Sequence, residues 1–106
     1  QNTRIFKMPF AKVYPAYVAK VEESDGEAEL DQVILWLTGY DAEGLATVLS
    51  DERDFERFFG EAPRLNPART LITGTICGYK IQDMEDGLMK EIRYLDKLVD
   101  EIAKGK

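Results

Sequence analysis

Hydrophobic residues recur along the chain at the three- and four-residue spacing of an α-helix. The sets are Tyr14, Tyr17, Val18 and Val21; Leu30, Val33, Ile34 and Leu37; Leu45, Val48 and Leu49; Phe55, Phe58 and Phe59; and Leu88, Ile92, Leu95, Val99 and Ile102. Because residues at this spacing share one face, each set predicts an amphipathic helix with an inward apolar face. Leu35 and Trp36 widen the second set, so we expect that helix to be largely buried.

Residues that commonly begin or end helices flank these apolar sets. A short polar side chain at a helix start accepts a hydrogen bond from a free N–H group of the first turn. The predicted N-caps of this kind are Asp41, Ser50 or Asp51, Asn66 and Asp86. Gly39 is typical of the left-handed residue that ends a helix. Pro15 is expected near the start of its helix and Pro67 at the first position of another, where proline loses no needed hydrogen bond.

The segment of residues 71–81 fits two interpretations. The β-branched residues Thr73 and Thr75 favour a strand. Ile72 and Tyr79, with their apolar neighbours, also fit one face of a helix. We slightly favour the helix and keep the strand as an alternative.

A strand in this segment needs a partner, and the weakly alternating residues 3–8 offer one. The predicted fold class is therefore mainly α. We expect a compact helical domain of about five to six short helices. A minor two-stranded β ribbon, of residues 3–8 with residues 75–81, remains an option.

Composition agrees with one globular domain spanning residues 1–106, since 44% of the residues are hydrophobic and 32% are charged. The longest apolar run, Val33–Leu37, is far shorter than the roughly 18 residues that a membrane span needs. No signal-like segment is recognised, and a single cysteine excludes an internal disulfide. We therefore expect a cytoplasmic protein that does not associate with membranes.

Charge is unevenly distributed along the chain, whose net charge is −6. Residues 21–62 carry a net charge of −11, whereas residues 1–20 and 63–81 contain no acid. The two acid-free stretches suggest a basic face that could bind nucleic acid. Its candidate residues are Arg4, Lys7, Lys12, Arg64, Arg69 and Lys80. The favoured alternative is that nearby acids neutralise these residues within the fold.

The sequence contains no histidine, which removes the commonest general base and the commonest transition-metal ligand. Cys77 is expected to be a buried, unreactive thiol. The segment from Gly74 to Gly78 lacks the residues of a phosphate-binding loop. We therefore expect neither a metal site nor a cofactor, and we name no catalytic residue.

Four aromatic residues form a candidate pocket for a small molecule. They are Trp36, Tyr40, Tyr79 and Tyr94. Aromatic residues at helical spacing more often belong to the core, and that is the favoured interpretation.

Several segments resemble a bacterial family known as domain of unknown function 2200. They are RIFKM at 4–8, VYP at 13–15, WLTGY at 36–40, LITG at 71–74, CG at 77–78 and EIRYLDKLVDE at 91–101. The chain departs from the family pattern in the turn at residues 24–29 and at Gly87, where proline is expected. The resemblance implies a bacterial, cytoplasmic protein, and it implies no activity, cofactor or site.

The leading functional hypothesis is a small non-enzymatic cytosolic protein that acts through protein–protein contacts, with a homodimer as one form. Its basis is the lack of catalytic groups and an apolar helix surface larger than a small monomer is expected to bury. That surface comprises Leu35, Trp36, Phe55, Phe58 and Phe59. The alternatives are nucleic-acid binding through the basic face, and a small-molecule binder or histidine-independent enzyme.

Overall fold

Six α-helices, two short 3₁₀ helices and one two-stranded sheet make up the described part of the chain. The computed structural model describes residues 4–22, 26–76 and 78–104, without the side chains of Arg4, Ile5 and Glu27. The α-helices are α1 Arg4–Lys7, α2 Phe10–Glu22, α3 Glu27–Thr38, α4 Ala42–Asp51, α5 Phe55–Gly60 and α6 Leu88–Ala103. The 3₁₀ helices are Pro67–Leu71 and Ile81–Asp83, and the strands are β1 Thr75–Ile76 and β2 Tyr79–Lys80. The mainly helical fold class is confirmed.

Helices α2, α3 and α6 pack against one another, and α4 and α5 close the core from the side. The rings of Phe10 and Phe58 stack with centroids 4.1 Å apart, and Phe55 meets Phe10 edge-on at 5.6 Å. Both geometries suit the charge distribution of aromatic rings. Burial follows the predicted helix faces. Fully or largely buried residues of those faces include Tyr17, Val21, Leu30, Ile34, Leu37, Leu45, Val48, Phe59, Ile92, Leu95, Val99 and Ile102.

Helix α2 begins earlier than predicted, at Phe10, so Pro15 lies inside the helix instead of near its start. The start is held by tertiary contacts, because Phe10 is fully buried and its N–H donates to the Arg53 carbonyl at 2.9 Å. Proline has no N–H to donate to the carbonyl of Ala11 one turn back. Core packing therefore outweighs a local helix-breaking signal.

Two predicted N-caps and one predicted C-cap are confirmed. Asp41 accepts a hydrogen bond from the Gly44 N–H at 2.7 Å and caps α4. Asn66 accepts from the Ala68 N–H at 2.8 Å and caps the 3₁₀ helix that follows. Gly39 ends α3 in the left-handed region with φ +81°.

The N-cap predictions for α5 and α6 are wrong. Asp54 caps α5, whereas Ser50 and Asp51 belong to α4. The carboxylate of Asp51 is instead bound to Arg53. At α6 the N-cap position is occupied by Gly87, one residue after the predicted Asp86.

Residues 71–81 do not form the helix that was slightly favoured. Thr75 pairs with Lys80 and Ile76 with Tyr79 in an antiparallel hairpin. Gly74 and Gly78 have φ values of +110° and +83°, which interrupt a right-handed helix on either side of β1.

The two-stranded ribbon therefore exists, but its predicted pairing with residues 3–8 is wrong. Residues 4–7 form α1, which packs against α5, and residue 3 lies outside the described residues. The ribbon forms locally because a tight turn costs less chain entropy than a pairing across the whole sequence.

A hydrogen bond between side chains fastens α2 to α3. The hydroxyl of Tyr14 donates to Asp31 at 2.5 Å. Burial, followed by this hydrogen bond and the charge of Asp31, raises the pKa of Tyr14 to about 12. The phenol is therefore held in its neutral form across the physiological pH range.

Substituting Gly39 by alanine is expected to destabilise the protein by at least about 2 kcal/mol. The left-handed backbone disfavours a side chain, and a Cβ at Gly39 would stand 2.7 Å from the backbone N and O of Arg64. The free energy of unfolding in urea measures the effect. Gly60→Ala is the control, because outside its chain neighbours and its own helix backbone no atom lies within 4 Å of its Cβ position, and its φ is not in the left-handed region. Equal stability of the two variants would contradict this account.

Tyr14→Phe is expected to remove an ionisation step near pH 12 from the ultraviolet absorbance titration of the phenol groups. The folded pKa lies above the ordinary value of 10.0, so this stabilising contribution is complete below pH 10.0 and disappears as the pH rises through about 12. Tyr79→Phe, at an exposed tyrosine, is the control and should keep the step. Persistence of the step in Tyr14→Phe would show that the assignment is wrong.

Candidate functional site

An open cavity of about 380 Å³ lies where α3, α6 and the segment after the Asn66 cap meet. We call it the Trp36 groove. Its lining residues are Trp36, Ala68, Leu71, Ile72, Thr73, Leu98 and Glu101. The walls are mainly apolar, and Glu101 contributes the charged group.

The Trp36 groove combines a cavity with exposed large apolar side chains. Trp36 is 45% exposed and Leu71 is 79% exposed, although most of the large apolar residues are buried. Trp36 lies on a face of α3 that its neighbouring helices leave open, so the prediction that it is buried with that helix is wrong. Leu35, beside it, is half-buried against the core.

Leu71 is positioned by the 3₁₀ helix Pro67–Leu71, which is fastened to α6 through Arg69. The guanidinium of Arg69 donates to Glu91 through Nε at 2.7 Å and through Nη2 at 3.2 Å. Its Nη1 donates to the carbonyl of Asn66 at 3.0 Å. Two parallel bonds to one carboxylate define both distance and orientation, so this wall of the groove is held in place.

The four aromatic residues of the predicted pocket lie in different surroundings. Trp36 lines the groove, whereas Tyr40 is in the core, stacked on Phe58 with its hydroxyl donating to the Phe58 carbonyl at 2.7 Å. Tyr79 is exposed on the hairpin, and Tyr94 is buried in α6. Trp36 is the member of this set that contributes to the cavity.

The basic residues are spread over several elements. Lys7 forms an ion pair with Glu56 at 3.0 Å, and Arg69 is paired with Glu91. The residues Lys12, Arg64 and Lys80 are exposed on α2, on the connection after α5 and on β2, respectively, and the side chain of Arg4 lies outside the described atoms. Pairing of Lys7 and Arg69 with acids favours the interpretation that positive charge is compensated locally.

Arg53 is the centre of a polar cluster at the junction of α4 and α5. It binds Asp51 at 2.6 Å and Glu61 at 2.9 Å, and Glu61 also pairs with Arg57 at 3.1 Å. The hydrogen bond from Arg53 lowers the pKa of Asp51. These ion pairs stabilise the connection at which the chain turns from α4 into α5.

A second polar cluster fastens the hairpin and α2 to α6. Arg93 binds Asp96 at 2.6 Å, and its guanidinium carbon lies 4.9 Å from the ring centroid of Tyr79. Asp96 also accepts a hydrogen bond from the hydroxyl of Tyr17 at 2.8 Å. The side chains of Arg93 and Asp96 therefore connect α6 to the hairpin and to α2.

Sequence reasoning missed most residues of the Trp36 groove, among them Leu71, Leu98 and Glu101. Periodicity placed Leu71 in a possible helix and gave no sign of its exposure. A single sequence could not have revealed this exposure, because it does not distinguish an exposed leucine from a buried one. Cys77 lies outside the described residues, so its predicted burial stays a prediction.

Within ranges 4–22, 26–76 and 78–104, no three acidic or cysteine side chains are grouped to hold a metal ion. None of the helices in those ranges combines the length and apolar character needed to cross a membrane.

Comparison with known proteins identifies relatives of the whole chain. The family described as "Uncharacterized protein conserved in bacteria (DUF2200)" matches residues 4–106. A crystal structure of "uncharacterized protein SP1917" is 47% identical, covers 100% of this chain and 88% of its own, and superimposes with a TM-score of 0.92. No curated protein matches. The resemblance found in the sequence is confirmed, and the chain belongs to the DUF2200 family of bacterial proteins.

Proposed function

We propose that this protein acts by binding another polypeptide through the Trp36 groove, and that it does so in the cytosol without catalysing a reaction. The observation that carries the proposal is the exposure of Trp36 and Leu71 beside one apolar cavity. Large apolar side chains grouped at the surface are typical of protein interaction sites, because burying them on binding is favourable. Aromatic side chains are also enriched at the centres of interfaces.

The shape of the groove favours a polypeptide over a small molecule. Sites for small ligands are usually concave and enclose most of the ligand surface. Leu71 lines the cavity and is still 79% exposed, so the cavity is open at this side chain. A partner surface that covers both the cavity and this side chain would bury more apolar area than a small ligand.

The phenylalanines that supported the contact hypothesis in the sequence do not contribute to this surface. Phe55 and Phe58 are fully buried, and Phe59 is 5% exposed. The proposal therefore rests on Trp36 and Leu71, a smaller set than the apolar surface expected from the sequence.

The polar clusters support a binding role over a catalytic one. Carboxylates such as Asp51, Asp96 and Glu91 are occupied in ion pairs with nearby arginines. The pair of Glu91 with Arg69 serves the fold, since it holds the 3₁₀ helix against α6 at a defined distance. A cytosolic location agrees with a sequence that has one cysteine and therefore no internal disulfide.

A photoreactive amino acid placed at position 71 is expected to form covalent adducts with protein when the chain is illuminated in the bacterial cells that normally contain it. Because the side chain is exposed on the groove, a bound polypeptide lies within its reach. The adducts are measured by gel mobility and mass spectrometry at the native level of expression.

The matched control carries the same group at position 8. Met8 is also a large apolar residue and is 42% exposed, but it lies between α1 and α2, away from the groove. Adducts that require position 71 support the proposal. Identical adduct patterns from both positions, or adducts from neither, would refute it.

A further inference from the structure

We infer that the Trp36 groove binds a basic segment of a different protein, one that carries an arginine beside large apolar side chains; this inference rests on the proposed function. The charge of the lining is the observation behind it. Among the described residues that line the cavity, Glu101 is the charged one. Its carboxylate therefore discriminates between the polypeptides that the apolar walls would otherwise bind equally well.

The carboxylate of Glu101 is available to a partner. Among residues 4–22, 26–76 and 78–104, no side chain forms a hydrogen bond or ion pair with it. Its neighbour Asp100 is bound by Lys104 at 2.9 Å, and the side chain of Lys97, one turn earlier, lies against Gly74. Glu101 is also half-buried, so a cation bound there is less screened by water than one at an open surface. A cationic partner group would supply the ion pair that Glu101 lacks within the described chain.

The other walls of the groove suit the remaining parts of an arginine side chain. Trp36 lines the same cavity and is 45% exposed, and tryptophan is the aromatic residue that attracts a cation most strongly. The planar guanidinium stacks on aromatic rings and binds a carboxylate through two N–H groups. Its apolar stem packs against side chains such as Leu98. Arginine is therefore expected in preference to lysine.

The charge around the groove also favours a basic partner. The net charge of −6 attracts a cationic polypeptide and repels an acidic one. On α3, Glu29 is exposed and lies about two turns before Trp36, on the same side of the helix. Arg69, which holds one wall of the groove, is already paired with Glu91. A second copy of this chain is disfavoured by the same charges, because its own Glu101 would approach the first.

Selection of random short peptides displayed on phage, with the full chain as bait, is the test. The native protein should enrich peptides that combine arginine with large apolar residues. The tightest peptide is then synthesised with a fluorescent label, and its dissociation constant is measured by fluorescence polarisation. Trp36→Ala should abolish most of this binding, which shows that the peptide occupies the groove.

Glu101→Gln is expected to weaken the peptide by at least about tenfold, because it removes the charge and nearly preserves the shape of the side chain. Replacing the peptide's arginine by glutamine should weaken binding to the native chain to a similar extent. The same replacement should have little further effect on the Glu101→Gln variant, since the two groups form one pair. The thermal unfolding temperature of Glu101→Gln should stay nearly unaltered, as no ion pair within the described residues is lost.

Glu43→Gln is the matched control. It removes the same charge from an exposed position on α4, outside the lining of the groove, and should bind the peptide as the native chain does. L-Arginine alone is the second comparison. It should bind far more weakly than the peptide, because it does not cover the apolar walls around Trp36 and Leu71.

Four results would overturn the inference: a library that yields no binding peptide, selected peptides without enrichment in basic residues, a Glu101→Gln effect no larger than that of Glu43→Gln, or L-arginine that binds as tightly as the peptide. Neutral peptides whose binding depends on Trp36 would refute the basic partner and leave the proposed function standing. A library without binding peptides, together with no adducts from position 71 in cells, would refute both.

Discussion

Burial of the apolar face of α6 against α2 and α3 is the interaction on which the other elements depend. Ile92, Leu95 and Val99 are almost fully buried along this face. The polar side of the same helix then receives separate anchors, with Asp96 bound by Tyr17 of α2 and Glu91 bound by Arg69 of the 3₁₀ helix. One helix therefore supplies both the hydrophobic stabilisation of the core and the polar contacts that place the shorter elements.

The same arrangement explains why the Trp36 groove exists. The segment after Asn66 is held to α6 by Arg69, and α3 is held to α6 by the core. The space between them is filled by no further helix among the described residues, so Trp36 and Leu98 line an open cavity. The apolar surface of the Trp36 groove is therefore a consequence of how α3, α6 and the segment after Asn66 are held together. Binding another polypeptide chain would cover this surface.

Uneven charge along the chain becomes more balanced in three dimensions. Basic residues from the acid-free stretches reach acids elsewhere, as Lys7 reaches Glu56 and Lys20 reaches Asp100. These pairs are partly exposed, and exposed ion pairs contribute little to stability. Their effect is to reduce the local positive charge that a nucleic-acid interface requires. For this reason a protein partner is the better supported proposal.

The amino-acid sequence by itself determined the family, the mainly helical class, the inward faces of the helices and the caps at Gly39 and Asp41. These features depend on the spacing of apolar residues and on local hydrogen bonds, and both are determined by residues close together in the sequence. The tertiary structure alone decided that Pro15 lies within α2 and that Trp36 and Leu71 stay exposed. The physical reason is that each of these outcomes depends on which distant element covers a side chain or supplies a hydrogen-bond partner. The periodicity of apolar residues does not specify such contacts between distant elements.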